Sequence, residues 1–482
     1  MQSVLAARQP EACRWRDPIG SSEWATCRLI SRLLPSVFTS DSRVGRDSCC
    51  ACCRSDEPAV DSPNEVVASL VHGLLCERTK DETDPETRVR AAEQVIWLER
   101  FLTLDLPDAD RTREARARVE SRRTARGWSR EVRRRWQRAP RVGLVGANNL
   151  KGLGHLNRDL IRWLEIDDWL LPESSRREEE AAAELARRTE CLGGFSERSP
   201  SAGEFLDRID VLLFVERPHV PGLTQAARRR GVRTVCVPTW EWLHPGLDWL
   251  ADVDLMLCPT RMTQRIMEDW KDRFGFGWET RLCPWPIDVG SIPVRVRTTC
   301  RRFLTINGAP SHERRRGLDV LLDAARRLPE APFLIGSQTD KLPALPKNVE
   351  VRFAAATNRE LYEEGDVCVQ LSRWEGLGLP LLECQAAGMP LVTTDAPPMN
   401  EHNPLAVVPV EGWEVLELWH RRPIAIPRIS GEAAAAVLRG WFGQDIGQAS
   451  RAAHAFVDRE HSWERSREAI RSAIAHCFWS RP

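Results

Sequence analysis

Tyrosine occurs once, at Tyr362, and lysine at only five positions, in a chain of 482 residues. With Ala, Pro and Arg abundant, that scarcity reads as GC-rich coding and says nothing about function. No run of about 18 apolar residues exists, which excludes a helix that spans a bilayer. The first residues, "MQSVLAARQPEACRWRDP", contain no continuous apolar stretch, which argues against a secretory signal. Together these absences favour a cytoplasmic protein. Net charge is missing too, since 69 basic and 69 acidic residues cancel. No global field therefore points to nucleic acid or a membrane surface. The 15 cysteines are odd in number, and a disulfide framework is not expected in a cytosolic chain of this size. Cys236, Cys258, Cys368 and Cys384 lie in apolar runs and read as small buried hydrophobes. "CCACC" (residues 49–53) has C-x-x-C spacing at Cys49/Cys52 and Cys50/Cys53, enough for half a zinc site. No second pair and no C-x-x-H follow, so it reads as part of a biased tail, and no metal site is expected.

The remaining composition, 42% apolar and 29% charged, is that of a soluble globular protein too long for one core. Residues 1–62 show no sustained period and read as a disordered tail. Residues 63–139 read as a helical extension, apolar at three- and four-residue spacing and then Arg-dense. Its basic stretch, with Trp128 and Trp136, admits peripheral contact with an anionic membrane face, against a plainer reading as a solvated helix. From residue 140 short apolar runs alternate with helical segments, as in α/β units. Residues 140–290 and 291–460 read as two Rossmann-like domains facing a cleft, followed by residues 461–482. Within the first domain, residues 152–155 read as a flexible loop, residues 176–188 as an acid-rich helix, and "ETRLCPWPID" as the exit.

Ligands of such sheets bind beyond the carboxyl ends of strands, so the turns there carry the chemistry. In "SRWEGLGLPLLECQAAGMP" (372–390) a strand ends, a loop turns on Gly376 and Gly378, and a helix starts near Pro380. The free amides of that helix end suit an anion. Glu383, read into its first turn or so, and Glu375, before it, are acceptors only and suit vicinal hydroxyls. Hydroxyls at two places with an anion between describe a nucleotide sugar. The plainer reading is a glycine turn flanked by surface glutamates. Arg314, Arg315 and Arg316 before Gly317 suit a diphosphate, as guanidiniums beside a helix N-terminus do. In the first domain Gly152, Gly154 and His155 precede a helix, but the third glycine of a dinucleotide fingerprint is missing. "PTWEWLHPG" places Glu241 and His244 where a cleft residue would sit.

The run "RWEGLGLPLLE", followed by "AAGMPLVTTD", resembles the donor site of GT-B glycosyltransferases of the retaining family 4 type. Glu375 and Glu383 match the two acids of that family's E-x(7)-E motif. "NGAPSHERRRG" is similar to its Arg-Lys-Gly turn, with Arg315-Arg316-Gly317 in those places and arginine for the lysine. "HSWERSREAIRSAI" (461–474) resembles the closing helix that crosses back to the first domain, and "GLGHLNRDL" the loop near donor and acceptor. The resemblance spans about residues 140–478, and residues 1–139 carry none. It implies a metal-independent, retaining hexosyltransferase with no cofactor. Its partners would be a nucleoside-diphosphate sugar and a hydroxyl acceptor, carbohydrate or lipid, and not nucleic acid. It implies that Glu383 holds the ribose and Glu375 the transferred sugar. Arg315, Arg316 and the amides of Leu377 and Gly378 would meet the diphosphate. Gly376, Gly308, Gln338 and Gly154 would complete the donor contacts, with Gln338 and residues 353–358 around the base. His155 or His244 would stand beside the sugar. The alternatives are a non-catalytic nucleotide-sugar-binding scaffold and a GT-B-fold epimerase.

Overall fold

The computed structural model describes residues 16–18, 24–27, 44–45, 84–103, 139–149, 152–172, 185–191, 200–308, 314–353, 358–417 and 422–480. The chain divides into two units, Met1–Thr124 and Ala125–Pro482. In the first, three short antiparallel strands accompany a helix over Pro85–Thr103. Pro85 opens it, and the Asp84 carboxylate accepts from the Thr87 amide at 2.9 Å. "CCACC", the Arg-dense stretch and most of the acid-rich segment lie outside the described residues.

The second unit holds two parallel sheets. The first contains β1 (Val142–Val145), β2 (Asp168–Leu171), β3 (Arg188–Cys191), β4 (Val211–Val215), β5 (Arg233–Val237), β6 (Leu255–Cys258) and β7 (Glu279–Leu282). Their order is β7-β6-β5-β4-β1-β2-β3, and every pairing is parallel. β4 (VLLFV) and β6 (LMLC) are unbroken runs of Val, Leu, Phe, Met and Cys, as expected of strands covered on both faces. The helices α1 (Gly152–Leu164), α2 (Pro200–Arg208), α3 (Leu223–Arg229) and α4 (Arg261–Phe274) supply those covers. Two sequence expectations need correction. Arg188, read as the last residue of the acid-rich helix, instead opens the strand Arg188–Cys191 paired with β2. "ETRL" adds edge strand β7 before the chain leaves the domain.

The second sheet contains β8 (Phe303–Gly308), β9 (Phe333–Ser337), β10 (Val349–Phe353), β11 (Val367–Gln370), β12 (Leu391–Thr394) and β13 (Ala406–Val408). Their order is β10-β9-β8-β11-β12-β13, with the direction of winding reversing between β8 and β11. Helices α5 (Leu318–Arg327), α6 (Asn358–Leu361) and α7 (Leu379–Ala386) connect these strands. An antiparallel hairpin, β14 (Gly412–Glu417) and β15 (Pro423–Arg428), follows β13. After α8 (Gly431–Trp441) and α9 (Gly447–Glu460), the last helix, α10 (Trp463–Trp479), buries Trp463, Ile470, Ile474 and Phe478 in the core of the first sheet. Cys236, Cys258, Cys283, Cys300, Cys368, Cys384 and Cys477 are buried free thiols. Among the described residues no helix is long and apolar enough to cross a membrane.

Candidate active site

The reversal between β8 and β11 opens a crevice at the carboxyl end of the second sheet. The two strands pair only at Phe303↔Val367 and Leu304↔Cys368. Beyond that the Gln370 amide replaces the ladder. It accepts from the Ile306 amide at 2.9 Å and donates to the Ile306 carbonyl at 3.2 Å. The strand ends therefore separate with both Ile306 backbone groups paired.

Two turns leave these strand ends and are tied together. Gly317 caps α5 at φ 62, and a Cβ there would lie 2.0 Å from the Leu371 carbonyl oxygen. Only glycine fits. The Arg373 amide donates to the Arg315 carbonyl at 2.8 Å, and the buried Arg373 guanidinium forks onto Asp319 at 2.7 and 3.0 Å. The arginine turn and the glutamate loop thus form one rigid piece. Gly308, at φ 59, ends β8, and the backbone N–H of the exposed Gln338 donates to the Gly308 carbonyl at 3.1 Å.

The charged side chains converge on Glu375, which is 2% exposed. Arg316 donates to its Oε1 at 2.5 Å, Arg315 to its Oε2 at 2.8 Å, and the Ser372 hydroxyl to Oε1 at 2.8 Å. Burial pushes the Glu375 carboxyl up, but Arg316, Arg315 and Ser372 outweigh it and hold it below the usual range. The sequence reading separated Glu375 from the arginines along a ligand; the structure brings the three into contact.

α7 begins at the αL residue Gly378, φ 66, with Pro380 in its first turn. Glu383 is the fifth helical residue, so it lies in the second turn, not the first. It is 8% exposed, and the Tyr362 hydroxyl donates to its Oε2 at 2.8 Å. Burial pushes the Glu383 carboxyl up against that hydrogen bond. Leu377 packs into the apolar core of the first sheet. The glycines differ in cause. Gly378 supplies a left-handed cap, whereas Gly376 makes room for a carboxylate: a Cβ on it would stand 2.4 Å from Glu241 Oε2.

Glu241 is the residue that sequence reasoning undervalued. It lies in the 3-10 turn Trp240–Trp242 beyond β5 and is 4% exposed. Arg315 donates to its Oε1 at 3.1 Å, while the buried Oε2 has no hydrogen-bond partner among the described residues. Neighbouring Trp240 donates its indole N–H to the Glu375 carbonyl at 2.8 Å. The available signal was an acid between two tryptophans in a buried run at a strand's carboxyl end. His244, half-buried, follows three residues later. Gly152, Gly154 and half-buried His155 are not a loop; they form the first turn of α1. The glycine at 154 has a packing reason, because a Cβ would lie 1.9 Å from the Asn149 carbonyl oxygen.

With this geometry the comparisons have a context. Residues 301–414 match the family model described as Glycosyl transferases group 1. A glycosyltransferase from Rickettsia africae superposes with a TM-score of 0.51 at 12% identity, over 70% of this chain and 99% of that one. Anabaena HepE in complex with UDP and glucose gives 0.53 at 11% identity, again over 70% and 99%. Sucrose-phosphate synthase from Thermosynechococcus elongatus gives 0.50 at 13% identity, over 71% and 99%. No curated protein is significantly similar to the chain in sequence. The two α/β domains thus have the GT-B fold of these glycosyltransferases, and the segment carrying Arg315, Arg316, Glu375 and Glu383 resembles the group 1 family in sequence as well.

Proposed function

We propose that the protein is a retaining glycosyltransferase that moves a hexose from a nucleoside-diphosphate sugar to a hydroxyl acceptor. The observation that carries this is the convergence of Arg315, Arg316 and Glu375 at the reversal point of the second sheet. These residues stand beside the N-terminal end of α7, within the segment that matches a glycosyltransferase family. HepE, which shares the fold, is bound to UDP and glucose, and that ligand chemistry suits these groups.

In this reading the arginine pair and the amides of Leu377 and Gly378 face the diphosphate. Glu383, oriented by Tyr362, takes the ribose hydroxyls, and Glu375 the hydroxyls of the sugar. Gly308 and Gln338 border the nucleoside side. His155 and His244 are the first-domain histidines available beside the sugar. The bond from the anomeric carbon to the phosphate oxygen breaks, and the acceptor oxygen bonds to the same face. The acceptor's proton passes to the departing phosphate. Charge grows on the diphosphate as this happens, so fixed guanidiniums and helix amides are the main catalytic lever. They supply that stabilisation without calling on a metal ion.

The test is incubation with UDP-, GDP- and ADP-hexoses and acceptor alcohols, with and without chelator, followed by NMR. The expected result is chelator-resistant release of nucleoside diphosphate and a product with the donor's anomeric configuration. An inverted product would overturn retention. Binding without turnover would leave a nucleotide-sugar-binding protein.

A further inference from the structure

We propose that Glu241 sets the affinity of the arginine pair for a diphosphate, by competing with it for Arg315. The inference rests on reading Arg315 and Arg316 as diphosphate ligands. One Arg315 nitrogen, Nη2, serves two carboxylates, Glu375 at 2.8 Å and Glu241 at 3.1 Å. Glu375 is tied independently by Arg316 and Ser372. Glu241 Oε1 meets Arg315, and the buried Oε2 has no hydrogen-bond partner among the described residues. Of the two acids, Glu241 is therefore held the more weakly, and it is the one an incoming anion displaces.

Charge counting leads to the same residue. Two guanidiniums already face two buried carboxylates, and the half-buried Glu216 is near enough to Glu241 for their charges to repel. A diphosphate brought against Arg315 meets a carboxylate at its own binding group, and like charges that close do not both remain. Burial raises the Glu241 carboxyl, and Arg315 is the leading group that opposes the rise. Its charge therefore depends on the very contact that a diphosphate would take. Glu241 also belongs to the first domain while Arg315 belongs to the second. Losing that contact on donor binding removes one tie across the cleft.

The experiment titrates UDP, GDP and ADP calorimetrically into the full chain at about pH 8, where both glutamates have most reason to be charged. Wild type is compared with Glu241→Gln, Glu241→Asp and Glu216→Gln, after thermal melts that report whether each folds. Glu241→Gln is expected to bind about tenfold tighter, the size of one strong charge-assisted contact. Glu241→Asp keeps the charge but shortens its reach, and should also bind tighter, by a smaller factor. Glu216→Gln removes a nearby charge without touching Arg315 and should change affinity less than either. Unchanged or weaker binding by both Glu241 variants would overturn the proposal. An equal gain in Glu216→Gln would do so too, because the effect would then be a general field. If no form binds any of the three nucleotides, the diphosphate reading itself falls, which is a different failure from wild type and variants binding alike.

Discussion

Glu216 follows β4 in left-handed backbone, φ 69, a conformation that costs a non-glycine residue about 1 kcal/mol or more. Its amide donates to the Val237 carbonyl at 2.9 Å, fixing the ends of β4 and β5 together. The Thr239 hydroxyl donates to its carboxylate at 3.0 Å. Burial, and then the charge of Glu241, push the Glu216 carboxyl up to about 7. A folded value above the unfolded one favours the protonated native state. That contribution is present in full below the ordinary carboxylate range and is gone once pH has risen through about 7. Glu216→Gln removes the dependence. By urea unfolding, the variant should gain stability over wild type between about pH 5 and pH 8, by on the order of 3 kcal/mol at most. A stability difference that does not change with pH would show that Glu216 titrates as an ordinary surface acid.

At the level of elements, the hairpin β14–β15 reaches the turn that carries Glu241. Arg422, 3% exposed and just before β15, donates to the Trp240 carbonyl at 2.7 Å and the Leu243 carbonyl at 3.0 Å. Its guanidinium lies 4.8 Å from the Trp270 ring centre and 5.6 Å from that of Trp240. Arg422→Ala leaves two carbonyls without this donor and should cost about 2–4 kcal/mol in chemical denaturation. A wild-type midpoint in that variant would show that the hairpin does not support the turn. The hairpin was not legible in the sequence. "GWEVLE" alternates only weakly: Trp413 is exposed, and Leu416 packs with Trp240, Met262 and Ile266, far away along the chain. Parallel strands were legible, because burial on both faces writes continuous apolar runs into β4 and β6 and three-residue apolar runs into β5 and β11. Glycines misled where their cause was remote. The pair at 152 and 154 suggested a loop, yet Gly154 is small because the Asn149 backbone crosses the first turn of α1.

Across the whole second unit, several ties join the two sheets. α10 packs into the first core, and Glu401 caps the N-terminus of α4 through the Arg261 and Met262 amides at 2.7 and 2.9 Å. Trp240 and Glu241 bind the Glu375 loop and the arginine turn. The E-x(7)-E spacing and the arginine turn were readable because each lies in one short stretch of chain. The contact of Glu241 with Arg315 joins residues 74 positions apart, and no local pattern encodes it. The central claim is that Arg315 and Arg316, which hold Glu375 in this structure, receive the diphosphate of a nucleotide sugar. Calorimetric titration of UDP-, GDP- and ADP-hexoses into wild type and Arg316→Ala tests it most directly. Saturable binding of at least one donor, weakened about tenfold or more in Arg316→Ala, is the predicted result. Binding that Arg316→Ala leaves unchanged, or no binding of any of the three, would contradict it.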